Sequence, residues 1–150
     1  MKRFEFRLER VLNWRRSRLD LETAALGRLH ASAQAIDLRR QELETERSAA
    51  ARSLVTAGSV DAQQLAALDA FRGWVRQERE RLARERAACE RKIEEQRRIA
   101  VEAQRSLRLL ERLRERRWTE WETEFARELD GLAGELHLAR LTRASRGSPP

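Results

Sequence analysis

Cysteine, proline and glycine are nearly missing from this chain, and each shortage removes a class of structure. A single cysteine, Cys89, leaves no partner for an intrachain disulfide and fits a reducing compartment. Two prolines, Pro149 and Pro150, stand at the very end, and only six glycines occur in 150 residues, so turns and breakers are scarce. Tyrosine is absent, and no window approaches the roughly 20 apolar residues that spanning a bilayer takes. The opening Met1-Lys2-Arg3-Phe4-Glu5-Phe6 alternates charge with apolar side chains and lacks the apolar run of a secretory signal. A cytoplasmic chain, at most peripheral to a membrane, is the expectation.

What is present is charge and helix-forming residues. Asp, Glu, Lys and Arg make up 38% of the chain, and the mean hydropathy is -0.77. That profile belongs either to long helices or to disorder. Regular spacing of Leu, Ile, Val and Phe decides for helices. The net charge of +7 comes from 32 basic and 25 acidic residues with the signs interspersed, which is the pattern of a solvated helix surface. All but Lys2 and Lys92 of the basic residues are arginine, the side chain suited to bidentate grips on carboxylates and phosphates.

Leu8, Leu12, Leu19, Leu26, Leu29, Ala33, Ile36, Leu43, Ala50 and Leu54 follow alternating steps of three and four, the seam of a coiled coil. Arg15, Glu22, Arg40 and Arg47 interrupt it. Thr56-Ala57-Gly58-Ser59-Val60-Asp61 is the one internal turn: Gly58 can take the left-handed conformation, and Asp61 with Gln64 forms a capping box. A second ladder runs through Leu68, Val75, Leu82, Cys89, Ile93, Ala100, Ala103, Leu107 and Leu110, and changes step near Trp118, Trp121, Phe125, Leu132 and Leu136.

These patterns predict an all-α fold, one long antiparallel two-helix coiled-coil hairpin forming a single domain over residues 1–150. The first helix spans about 3–56, the turn 57–61, the second helix about 62–141, and a frayed tail 142–150. Pairing about Gly58 joins residues whose numbers sum to about 117, Leu8 near Leu110 and Leu43 near Val75. At ~1.5 Å per residue the second helix, about 120 Å, overruns the first, about 80 Å. From about Arg114 onward, Trp118, Trp121, Phe125, Leu129, Leu132 and Leu136 are then expected to lack a partner in the first helix.

No catalytic, cofactor or metal arrangement emerges. His30 and His137 have no ligand-like neighbours, Cys89 occupies a seam position, and no glycine-rich phosphate loop follows a strand. The chain is therefore read as a non-enzyme that grips other proteins. Two aromatic groups are the candidate grips: Phe71 and Trp74 just after the turn, and Trp118, Trp121 and Phe125 on the overhang. Arg105, Arg108, Arg112, Arg114, Arg116 and Arg117 would suit a nucleic acid, but Glu111 and Glu115 break the run and no continuous stripe results, so no nucleic acid is expected as a partner.

Three blocks in this order resemble one family: Phe4-Glu5-Phe6-Arg7-Leu8-Glu9-Arg10-Val11-Leu12 with Arg15-Arg16; the turn region Leu54 to Phe71; and Leu110-Glu111-Arg112-Leu113-Arg114-Glu115-Arg116-Arg117 leading to Glu128-Leu129-Asp130. Together with the length, they make the chain similar to the FliJ family, the coiled-coil proteins of the bacterial flagellar type III export apparatus. The resemblance implies a stalk, like the central shaft of rotary ATPases, whose open end sits in the export ATPase ring. It also implies binding to the export-gate membrane protein and escort of substrate-specific export chaperones, at the cytoplasmic face of the inner membrane. On that basis Phe4, Phe6, Leu8, Val11, Trp118, Trp121 and Phe125 belong to the ATPase-ring end and Phe71 and Trp74 to the export-gate end, with a monomeric hairpin when free. An injectisome stalk and a basic coiled-coil nucleic-acid binder are the alternative readings. Gly131 and Gly134 depart from the family pattern, and at a cost of roughly 1 kcal/mol each in a helix interior they predict last turns that order on binding.

Overall fold

The computed structural model describes residues 3–56, 58 and 61–146, with side chains up to 143. The chain is all-α, a two-helix hairpin whose second helix is the longer: α1 spans Glu9–Thr56 and α2 spans Ala62–Arg146. Of the expected turn, Ala57, Ser59 and Val60 lie outside the described residues, as do residues 147–150 of the expected tail. Gly58 has φ +70°, the left-handed conformation that a side chain would strain. Asp61 caps α2 reciprocally. Its backbone N–H donates to Gln64 Oε1 at 3.1 Å, and its Oδ1 accepts from the Gln63 N–H at 3.0 Å.

Two packed units share the helices. One comprises Met1–Ser17 with Gln104–Pro150, the other Arg18–Ala103. Within the second, α1 and α2 run antiparallel around two apolar clusters. Ala33, Cys89 and Ile93 form one, with Leu26, Leu29 and Ile36 against it. Leu43, Val75 and Leu82 form the other, with Ile36 and Phe71 against it. Each buried residue is a rung of the predicted ladders, because only the three-four spacing keeps one face of a 3.6-residue helix toward its neighbour. Cys89 behaves as a small hydrophobe whose thiol donates to the Leu29 carbonyl at 3.4 Å.

The interruptions of the seam are handled by polar partners. Gln96 Nε2 donates to both the Glu22 carbonyl, at 3.1 Å, and a Glu22 carboxylate oxygen, at 2.7 Å, while Arg18 pairs with the same carboxylate at 2.6 Å. The Gln96 bond, then the Arg18 bond, holds the Glu22 carboxyl below its ordinary value. A charged side chain on the seam thereby finds its hydrogen bonds without leaving its place.

Two expectations change, and the register is kept. The register holds as expected: Leu43 packs with Val75, and Cys89 meets Leu29 and Gln96 meets Glu22, all pairs summing to 118, while the long side chains of Arg79 with Glu44 and Arg86 with Asp37 reach pairs summing to 123. These two arginines thereby reach a further turn along the partner helix. The first helix starts at Glu9, not near residue 3, since residues 3–6 are not helical and Arg7-Leu8 form a turn that leads into it. Finally, α2 runs unbroken through Gly131 and Gly134 to Arg146.

Candidate partner-binding surfaces

In the unit built from Met1–Ser17 and Gln104–Pro150, the non-helical segment before α1 lies on α2. Phe4 and Phe6 are half-buried while Arg3, Glu5 and Arg7 are exposed, the alternation of an extended chain resting on a surface. The Phe4 ring meets Trp118 edge-on at 5.0 Å and Trp121 at 5.9 Å. Trp118 and Trp121 are 5.2 Å apart, and Phe125 stacks on Trp121 at 5.0 Å. Four rings from two distant stretches of sequence form one cluster, held at the root by ion pairs between Arg114 and Glu9, 3.1 Å, and Arg16 and Glu111, 3.3 Å. These pairs are solvated, so they orient the helices more than they stabilise them.

The expectation of a bare overhang from Arg114 is thereby corrected. Trp118 and Trp121 are not unpartnered, because Phe4 covers part of both, although Trp118 keeps 42% of its surface exposed. The uncovered stretch begins after Phe125. From residue 126 to 143 every side chain is exposed, among them Leu129, Leu132, Leu136, Leu138 and Leu141. Phe125, Leu129, Leu132 and Leu136 keep the four-three-four step of a seam, so one apolar stripe continues without a partner helix.

Leu8 and Val11 stand apart from the four rings. Both are exposed, and Leu12 takes the buried place on that turn of α1 at 0% exposure. Trp14, the remaining tryptophan of this end, is exposed with the Arg15 guanidinium over its ring at 5.1 Å. In the basic run, Arg117 pairs with Glu120 at 3.0 Å and Arg114 with Glu9, which leaves alternating charge along the helix.

The second aromatic group belongs to the Arg18–Ala103 unit. Phe71 and Trp74 stack at 5.8 Å, but their surroundings differ: Phe71 packs against the Leu43, Val75 and Leu82 cluster, whereas Trp74 is exposed. Beside them runs a groove with Leu68, Phe71 and Val75 on its floor, flanked by Arg40 and Arg47 of α1 and by Arg72, Arg76 and Arg79 of α2. Arg47 and Arg79 share Glu44, at 2.9 and 3.8 Å, and Arg40 lies 3.8 Å from Asp37, while Arg72 and Arg76 make no ion pair among the described residues. Sequence reasoning overlooked this wall. Its signal was the seven-residue step from Arg40 to Arg47 and the four-three step Arg72, Arg76, Arg79, which set five cations on the two sides of one groove.

Among the described residues no helix is long and apolar enough to cross a membrane, and no group of three or more His, Cys, Asp or Glu is placed to hold a metal ion. No protein-family model, curated protein or solved structure matches this chain.

Proposed function

We propose that the chain is a non-enzymatic component of the bacterial flagellar type III export apparatus: the stalk of the export ATPase ring, and an escort adaptor carrying substrate-specific export chaperones toward the export gate at the cytoplasmic face of the inner membrane. The reading rests on the three FliJ-like sequence blocks. The observation that carries it is the cluster of Phe4, Trp118, Trp121 and Phe125, which joins the first and third of those blocks into one aromatic surface continuous with the bare stripe of α2. Large aromatics with part of their surface still exposed are the residues that anchor protein interfaces. Phe71 and Trp74 in the other unit give a second grip, which the reading assigns to the export gate.

The test is co-purification with the export ATPase and measurement of its hydrolysis rate and ring assembly, both of which are expected to rise when the chain is added. Trp118→Ala with Trp121→Ala is expected to weaken ring binding and spare gate binding. Because Phe4 rests on both indoles, Leu129→Ser with Leu132→Ser is the cleaner probe, removing exposed apolar surface outside the ring cluster. No rise in either ATPase readout, or loss of gate binding with ring binding retained, refutes the assignment.

A further inference from the structure

Two surfaces of this chain are unpartnered and opposite in character. The groove of the Arg18–Ala103 unit has an apolar floor, Leu68, Phe71 and Val75, between arginine walls, and among the described residues Glu80 is the one carboxylate that lines it. The stripe Phe125, Leu129, Leu132 and Leu136 on the last part of α2 is its chemical counterpart. Residues 122–136 carry Glu122, Glu124, Glu128, Asp130 and Glu135 against the single cation Arg127, and Glu124, Glu128 and Glu135 share one flank of the stripe by helical spacing. None of these five carboxylates has an ion pair among the described residues, and neither do Arg72 and Arg76. An isolated helix exposing a row of leucines loses free energy to water, and a groove that presents apolar floor and unneutralised guanidinium groups is the complementary surface.

We infer that the acidic, apolar stripe of α2 in one copy docks into the arginine-walled groove of a second copy, so that the chain self-associates as its concentration rises while remaining single in dilute solution. Arginine favours this occupant over a generic apolar helix, because the planar guanidinium can bind a carboxylate through two parallel hydrogen bonds and so fixes orientation as well as attraction. A helix-sized contact of a few turns lies below the area of permanent interfaces, so the pairing is reversible. The inference is independent of the export reading, but it has a consequence for it. Self-association would cover the bare stripe in one copy and the groove beside Trp74 in another, and partners that use those surfaces would have to compete with it.

The test uses full-length chains in analytical ultracentrifugation. The single chain has a mass of 17.6 kDa, and a rise to twice that value or beyond with concentration is expected at low salt, since a stripe-to-groove contact leaves a free stripe and a free groove; the rise diminishes as salt screens the contact. Two charge reversals are made on exposed positions, Arg72→Glu with Arg76→Glu in the groove and Glu128→Arg with Glu135→Arg on the stripe, and circular dichroism checks that the helices persist. Each double variant alone sets like charges against each other and is expected to weaken self-association by about tenfold or more. A mixture of the two restores opposite charges at both contacts and is expected to return association to within about threefold of the parent. A parent chain that keeps the single-chain mass up to about 0.5 mM overturns the inference. So does association that neither reversal weakens, or weakening that the mixture does not rescue.

Discussion

Replacing Phe4 with alanine is expected to free the segment before α1 from α2 while leaving both helices folded. The ring is half-buried and meets two indoles, at 5.0 and 5.9 Å. Half the burial of a phenylalanine side chain is worth about 1 kcal/mol, and each aromatic pair adds ~0.5–1.5 kcal/mol beyond area. The loss on removing the ring is then about 2–4 kcal/mol. Removing even about 2 kcal/mol lowers the docked population relative to the freed one by about thirtyfold. The assay is tryptophan emission with Trp14→Phe and Trp74→Phe as background, leaving Trp118 and Trp121 as reporters. Their emission should move to the red, quenching by acrylamide should rise, and amide exchange should quicken over residues 3–12. The midpoint of global unfolding should change little, because the segment adds nothing to the buried seam. Unchanged emission and exchange, or a fall in global stability as large as a core deletion gives, refutes the reasoning.

Leu43→Ala removes a side chain with 0% exposure facing Val75 and Leu82, and should cost ~2–5 kcal/mol in urea unfolding, whereas Leu38→Ala, on the exposed face, should stay within about 0.5 kcal/mol. The Glu22 carboxyl is lowered from 4.5 by Gln96 first and Arg18 second, so its contribution is complete above 4.5 and is lost as pH falls through the lower folded value. Glu22→Gln should therefore flatten the acid limb of a stability-pH curve below 4.5; an acid limb equally steep in the variant counts against this role. Gly58→Ala forces a side chain into φ +70° and should cost ~1–2 kcal/mol, seen as a lower thermal midpoint with unchanged helix content at low temperature.

Much of the fold is written in spacing. Leu12, Ala33 and Leu43 on one ladder, and Val75, Leu82, Cys89, Ile93 and Leu107 on the other, are the buried hydrophobic residues, because a helix pairing along one seam has no other face to bury. Gly58 and the Asp61–Gln64 box were equally legible, since left-handed backbone and an unpaired helix N-terminus each admit few residue types. Register was legible too, since Leu43 meets Val75 as the count about the turn predicts. Spacing constrains it to within a heptad, and the five residues between Thr56 and Ala62 limit where the pairing is centred.

The candidate surfaces were legible as residue types but not as neighbours. Phe4 and Trp118 are separated by most of the chain, and nothing periodic joins them, because a non-helical segment lying on a helix obeys neither the ladder of α1 nor that of α2. The alternation Arg3, Phe4, Glu5, Phe6, Arg7 was visible, and its period of two contradicts a helix starting near residue 3. Read for period alone, it already separates those residues from α1. The same reasoning explains the arginine wall. Arg40 and Arg47 register in the sequence as defects of one seam, and Arg72, Arg76 and Arg79 as an ordinary solvated face. They become one feature only when the two helices are brought side by side. A defect in a one-dimensional pattern is then the sign of a surface with a second use: cations set beside an apolar floor weaken the seam, and what they add is a groove that discriminates by charge.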